Sequence, residues 1–232
     1  MKKEFSSIFE EQYGAGNNHI AKRYSMIYNL LAAFEKNRLQ KVTELITDKN
    51  LAVLDIGCGD GTFLYKNRHK WRSIIGVDVV KKLLNIAQKR NYGVSAEFIH
   101  ADFGRNPIPY SSGSFDIVIS ISTLQYIYDI DLLFQEIRRV LKPEGKFIFE
   151  VPNSAVFWRR LNFLRGRLPR TSQFIQGWDA GVIHYFTHYD LSNFIKSYKY
   201  NILSVSCSGI FDYIRQSYPS LLGSDLIYVT TK

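Results

Sequence analysis

Cysteine is almost absent: Cys58 and Cys207 are the two in 232 residues. Neither their number nor their spacing supports a disulfide framework or a zinc site, so both read as small reduced residues of a cytoplasmic protein. Long apolar runs are missing too. No stretch approaches the ~18 continuous apolar residues of a membrane span, and the N-terminal M-K-K-E-F-S-S lacks a signal-peptide apolar region. Acids are outnumbered by bases, 21 to 30, which leaves a formal charge of +9. That excess favours an anionic substrate or surface, or is ordinary solubility charge. No internal repeat, low-complexity segment, nucleophile motif or metal-ligand cluster is present. No nucleic-acid-binding module accompanies the basic residues. What remains is 46% hydrophobic, ample for one large domain or one domain with a small insertion.

One stretch organises the chain. Leu51 to Gly61 reads L-A-V-L-D-I-G-C-G-D-G. A short apolar run ends in Asp55, and Gly57, Gly59 and Gly61 follow at alternate positions. The pattern is a buried parallel strand that stops, turns tightly and opens a helix over Thr62–Arg68. Glycine accepts positive φ there and lets a ligand approach the backbone. Dinucleotide enzymes use a related device, but their fingerprint is G-x-G-x-x-G and this one is G-x-G-x-G. Asp55 would repel a pyrophosphate and welcome an ammonium group. Asp78, at the end of the next apolar run, is placed to accept both hydroxyls of a ribose.

D-I-G-C-G-D-G followed by G-V-D-V resembles the S-adenosylmethionine site of class I methyltransferases, of the type 11 and MetW-like kind. The resemblance covers about residues 50–151. It implies an α/β, Rossmann-like fold: a seven-stranded, mostly parallel sheet with an antiparallel last strand and helices on both faces. It implies S-adenosylmethionine as cofactor, S-adenosylhomocysteine as product, and no metal. Gly57, Cys58, Gly59 and Gly61 would let the cofactor approach, with Asp55 near its methionine ammonium. Asp78 and Val79 would hold the ribose. Asp102 would meet the adenine amino group, with Ala101 and Phe103 beside the ring, and Ser120 closes the set at the fourth strand's carboxyl end. Asp102 also reads as a plain turn-former.

Along the chain, apolar spacing predicts helix from His19 to Ile46, within an N-terminal cap over residues 1–50. Tyr13 and Arg23 could reach the cofactor's carboxylate. The cofactor core spans 51–151, with strands at Ser73–Val77, Ala96–Ile99, Phe115–Ser120 and Lys146–Val151. A helix over Asp131–Leu141 stops at L-K-P-E-G. Asp116 reads as structural. Residues 152–189 form an insertion or lid, and 190–232 return to the sheet with a helix and strands at Asn201–Ser208 and Leu226–Thr231. The linking segment 209–225 either closes the acceptor pocket or makes a homodimer contact.

The insertion carries the individuality. Ser154 to Leu168 has Phe157, Leu161, Leu164 and Leu168 at helical spacing, interleaved with Arg159, Arg160, Arg165 and Arg167. Three readings stand: a lid whose arginines meet a phosphate-bearing substrate, an ordinary core helix with a basic face, or peripheral membrane contact through 154–170. Further on, His184 is a candidate base, ahead of a helix capped by Thr187 with Asp190 three residues later; it also reads as a loop-fixing histidine. Tyr126 could orient a substrate hydroxyl, and Trp178 and Tyr185 could line an aromatic wall; core packing explains all three as well. W-R-R-L, G-R-L-P and I-H-Y-F-T are similar to methyltransferases of glycan and natural-product clusters and to MetW. The expected activity is methyl transfer to an O or N nucleophile of a small-molecule or glycan acceptor. The rival is a MetW-like accessory protein that keeps the cofactor fold and binds a biosynthetic acyltransferase.

Overall fold

The structure is a computed structural model that describes residues 35–171, 181–210 and 212–232. Helix α1 (Arg38–Leu45) leads into β1 (Leu51–Ile56), the Gly turn and α2 (Thr62–Lys66). Alternation continues through β2 (Trp71–Asp78), α3 (Lys81–Gln88), β3 (Ser95–His100) and β4 (Phe115–Ile121). Then come α4 (Ile130–Val140), β5 (Leu141–Pro152), α5 (Phe157–Leu164), α6 (His188–Ser197) and β6 (Asn201–Ser206). Two short helices, α7 (Asp212–Gln216) and α8 (Pro219–Leu222), precede β7 (Asp225–Thr231).

These strands make one seven-stranded sheet in the order β3-β2-β1-β4-β5-β7-β6. The first five run parallel, and β7 is antiparallel to both its neighbours, β5 and β6. The expected architecture is the observed one. Position explains composition. Leu226, Ile227 and Tyr228 are fully buried in β7, which lies inside the sheet, whereas the edge strand β3 carries Glu97 and His100 and buries no residue.

Successive strand residues face opposite sides, which yields two cores. Leu54, Val118, Phe147 and Phe149 pack with Leu133 and Phe134 of α4 on one face. Val53, Ile74, Ile119, Ile148 and Ile227 pack with Val42 of α1 and Phe63 of α2 on the other. By the same alternation Asp55 and Glu150 belong to the second face.

Several expectations are corrected. Within the described residues the helix expected over His19–Ile46 is interrupted: Glu35–Lys36 pair antiparallel with Gly209–Ile210. Asn37 then starts α1 afresh, accepting from Gln40 N–H (3.0 Å) while the Gln40 side chain accepts from Asn37 N–H (3.1 Å). This capping box satisfies the helix's first donors. Helix α4 begins at Ile130, because Asp129 Oδ1 accepts from Leu132 N–H (2.8 Å). Strand β5 already pairs at Leu141, opposite Phe115; Ile117 next faces Lys146, so K-P-E-G loops out within the strand. The reading of α5 as a core helix fails outright, since none of its residues is buried. Asp116 is structural as expected: it accepts from Ala52 N–H (2.8 Å) and pairs with Arg72 (3.0 Å) and Lys142 (2.6 Å). Tyr13, Arg23, Trp178 and most of the N-terminal cap lie outside the described residues.

Candidate functional site

The carboxyl ends of β1 and β2 are stitched together by the glycine turn. Gly57 and Cys58 both donate to the Val77 carbonyl, at 2.8 and 3.0 Å. Gly57 has φ +81°, and a Cβ there would lie 1.9 Å from Thr123 Oγ1. Only glycine fits between the two segments. Gly59 has φ +55° but is open towards the described residues: a Cβ there would meet none of them nearer than Leu83 Cδ1 at 4.0 Å. That position is a cradle a ligand can fill.

Asp78, the last residue of β2, is fixed against this cradle. Its Oδ2 accepts from Gly59 N–H and its Oδ1 from Val80 N–H, both at 2.8 Å. Ala101 N–H donates to the Asp78 carbonyl (3.3 Å), drawing the end of β3 alongside. Val79 sits between, its carbonyl 3.0 Å from His100 Nε2. Asp102 accepts from Gly104 N–H (3.0 Å) and pairs with Arg105 (3.4 Å), so it does form a turn at the strand end. Phe103 is buried in the first core. Ser120 is fully buried, its Oγ donating to the Ile56 carbonyl (3.1 Å) just before the turn.

Charge in this corner is unusual. Burial, reinforced by the negative charge of Asp78, pushes the Asp55 carboxyl up to about 8. Burial, with the nearby Asp55, also pushes the Cys58 thiol well up, which makes it inert. Two contributors escape the sequence reading. Asp60 pairs with Arg90 (2.8 Å), and Arg90 Nε also donates to the Asp60 carbonyl (2.9 Å), clamping the turn from α3's far end. Glu150, at the carboxyl end of β5, is 1% exposed. Burial raises it to about 7, although Arg38 at 4.0 Å opposes the shift. Ser122 Oγ donates to it (2.5 Å). A lone acid in the apolar run F-I-F-E-V is the signal that could have found it.

A second group of candidates meets across the loop after β4. The Gln125 carbonyl accepts from Ile183 and His184 N–H, at 2.9 and 3.1 Å. His184 Nε2 donates to the Ile127 carbonyl (2.8 Å). A carbonyl only accepts, so this bond leaves Nδ1 with the lone pair. Tyr126 lies in the same loop, half-buried, and Tyr185 is exposed. Thr187 caps α6, accepting from Asp190 N–H (3.1 Å) and donating to its carboxylate (2.6 Å), as its sequence implied. His188 Nδ1 lies 2.8 Å from the Tyr228 hydroxyl.

Arg159 and Arg160 of α5 both donate to backbone carbonyls. Arg159 donates to the carbonyls of Asn153 (2.5 Å), Arg170 (3.0 Å) and Ser224 (3.2 Å). Arg160 is exposed, with Nε on the Ala155 carbonyl (2.5 Å). A cavity of about 160 Å³ among Asp48, Asp116, Lys142 and Lys146 lies at the opposite end of the sheet, where the strands begin. Ligands of open α/β sheets bind at the carboxyl ends, which directs attention to the glycine turn. The cradle at Gly59, with the Asp78 carboxylate held against it, the buried Asp55 carboxyl close to Asp78 and Asp102 just past the end of β3, fits a ligand carrying a ribose and an adenine.

Comparisons with known proteins agree with this geometry. A family described as "Methyltransferase domain" matches residues 47–176. The sterol 4-C-methyltransferase of Caenorhabditis elegans is 30% identical over 147 residues, covering 62% of this chain and 43% of that protein. The malonyl-[acyl-carrier protein] O-methyltransferase of Geobacter sulfurreducens is 29% identical over 135 residues, covering 56% and 50%. The chain thus spans half or less of these two relatives. The demethylmenaquinone methyltransferase of Thermotoga maritima is 30% identical over 184 residues, covering 75% of this chain and 77% of that protein. An S-adenosylmethionine-dependent methyltransferase from Mesorhizobium loti superposes with a TM-score of 0.61 at 21% identity, over 83% of this chain and 97% of that one. At that identity the likeness speaks for the fold alone. Fold, matched family and glycine turn converge, and the chain belongs to the methyltransferase-domain family, among the class I S-adenosylmethionine-dependent methyltransferases.

Proposed function

We propose that this protein transfers a methyl group from S-adenosylmethionine to an oxygen or nitrogen nucleophile of a small-molecule or glycan acceptor. The observation that carries the reading is the Asp78 carboxylate held by Gly59 N–H beside the open face of that glycine. An acid built into a glycine turn suits a ribose better than a phosphate. Asp78 with Val79 would hold the ribose, Asp102 with Ala101 and Phe103 the adenine, and Asp55 the ammonium. Gly57, Cys58, Gly61 and Ser120 keep the turn in shape. When bound, the cofactor supplies a methyl carbon already activated by its sulfonium, so alignment and water exclusion by the protein supply most of the acceleration.

His184 is the proposed base. Its Nε2–H anchors on the Ile127 carbonyl, and Nδ1 would take up the proton that the acceptor hydroxyl or amine loses as its new bond to the methyl carbon replaces the carbon–sulfur bond of the donor. Tyr126, from the same loop, would orient the acceptor, with Tyr185 as an aromatic wall. The segment 152–189 would cover this side and residues 1–50 the cofactor. With Arg159 engaged by three carbonyls, contact with a phosphate on the acceptor falls to Arg160. The names of the relatives span a sterol, a malonyl-[acyl-carrier protein] and a demethylmenaquinone, which supports methyl transfer while leaving the acceptor open.

The test is incubation of the chain with methyl-labelled S-adenosylmethionine and pools of glycans and small metabolites. Label in an acceptor, lost in His184→Ala, supports the reading. Cofactor binding without transfer, together with co-purification of an acyltransferase, would favour the MetW-like accessory role instead.

A further inference from the structure

Helix α5 is patterned to be buried and is not. Phe157, Trp158, Phe163 and Leu164 are 51, 41, 64 and 81% exposed, and Leu168 just beyond is 49% exposed. A second exposed apolar group adjoins it. Arg215 of α7 lies 5.8 Å over the Trp158 ring and donates to the carbonyl of Leu222, the last residue of α8 (3.1 Å). Tyr213, Ile214 and Tyr218 on these short helices are 69, 49 and 57% exposed. Scattered exposed apolar residues are ordinary; a contiguous patch rimmed by charge marks an interaction face.

The charge names the occupant. From Ser154 to Thr171 there is no acid. Arg160, Arg165, Arg167 and Arg170 are all exposed along this stretch. A second copy of the chain would bring the same cations against themselves, since a two-fold contact pairs like with like. An anionic lipid surface answers both features: aromatic and aliphatic side chains enter the acyl boundary while guanidinium groups meet lipid phosphates. Eight helical residues span only about 12 Å, so this element can lie on a bilayer and cannot cross it. No helix among the described residues is long and apolar enough to cross one.

We infer that α5 with its following arginines, flanked by α7 and α8, is a docking face for anionic phospholipid membranes. The face adjoins the carboxyl end of β5: Asn153, which follows that strand, donates from its side chain to the carbonyls of Ser220 (3.0 Å) and Gly223 (2.9 Å). It is therefore at the end of the sheet that carries the glycine turn. The inference does not depend on methyl transfer.

The test is co-sedimentation of the full chain with vesicles of phosphatidylcholine alone and of phosphatidylcholine mixed with phosphatidylglycerol. Binding is expected to the mixed vesicles, weakening as salt rises. Two variants separate the contributions: Arg165→Glu/Arg167→Glu removes cations, and Phe163→Ser/Leu164→Ser removes apolar tips. All four side chains are exposed, so folding should survive, checked by circular dichroism. Each variant should bind at least about tenfold more weakly. No binding of the unaltered chain to mixed vesicles overturns the inference, as does binding that survives both variants. A dimer in size-exclusion chromatography that Phe163→Ser/Leu164→Ser splits, without vesicle binding, overturns it in favour of a second copy.

Discussion

Alanine at Gly57 should act mainly on folding and alanine at Gly59 mainly on ligand binding, although the two sites are two residues apart in one turn. At Gly57 the new methyl would lie 1.9 Å from Thr123 Oγ1 and 2.7 Å from Thr123 Cβ, on a backbone at φ +81°. The left-handed conformation costs a non-glycine residue about 1–2 kcal/mol, and overpacking adds about 1–3 kcal/mol. A loss near 3 kcal/mol is expected, roughly 6–12 °C in Tm for a chain of this size. Thr123→Gly in the Gly57→Ala background removes these clashing side-chain atoms and should restore the overpacking part, leaving the conformational part. At Gly59, among the described residues, the methyl meets only Leu83 at 4.0 Å, so the folding cost is the conformational ~1–2 kcal/mol. There the methyl enters the cradle, and affinity for S-adenosylhomocysteine should fall at least about tenfold, a loss of ~1.4 kcal/mol or more. Thermal melts with calorimetric binding separate the two effects. Full affinity in a folded Gly59→Ala would refute the placement of the ligand, and an unchanged Tm in Gly57→Ala would refute the packing against Thr123.

Three further outcomes follow from single residues. Arg159→Ala should destabilise by about 1–3 kcal/mol, because three carbonyls lose a charged donor, whereas Arg160→Ala should stay within about 0.5 kcal/mol; equal melts would contradict the clamp. Asp55 and Glu150 are raised to about 8 and about 7, so the folded state holds protons that the unfolded chain has released. Their contribution to stability is therefore complete below about pH 4 and lost as pH rises towards 8; Asp55→Asn with Glu150→Gln should flatten that slope in denaturant titrations, and an unchanged slope would show that other groups set it. His184→Ala should bind S-adenosylhomocysteine normally yet turn over roughly 10²-fold more slowly; undiminished turnover with saturating acceptor would remove His184 as the base.

The parts legible in the sequence are those where one local pattern has one physical solution. An uncharged run stopped by Asp55 and three glycines can hardly be anything but a buried strand and a tight turn, and Thr187 with Asp190 announces a helix start. The missed parts are long-range. The break at Glu35–Asn37 hides inside a continuous helical spacing, because apolar residues at three- and four-residue intervals continue on both sides of it. The spacing of Phe157, Leu161, Leu164 and Leu168 promises a buried face, but amphipathicity says only that a face exists, and Phe157 and Leu164 are exposed. Charge at Arg159 suggested a ligand, while its guanidinium reaches a carbonyl 65 residues away in the chain. Glu150 stands out as a lone acid in an apolar run, but its partner Ser122 is brought to it only by the sheet.

Isothermal titration of the purified chain with S-adenosylmethionine and S-adenosylhomocysteine, beside Asp78→Asn, is the most direct test of the central claim. Asparagine keeps an oxygen for Gly59 N–H and removes the charge offered to the ribose. Micromolar binding of both ligands, falling at least about tenfold in a folded Asp78→Asn, is the expected result. Binding of neither ligand, or equal binding by the variant, would contradict a cofactor site at this turn.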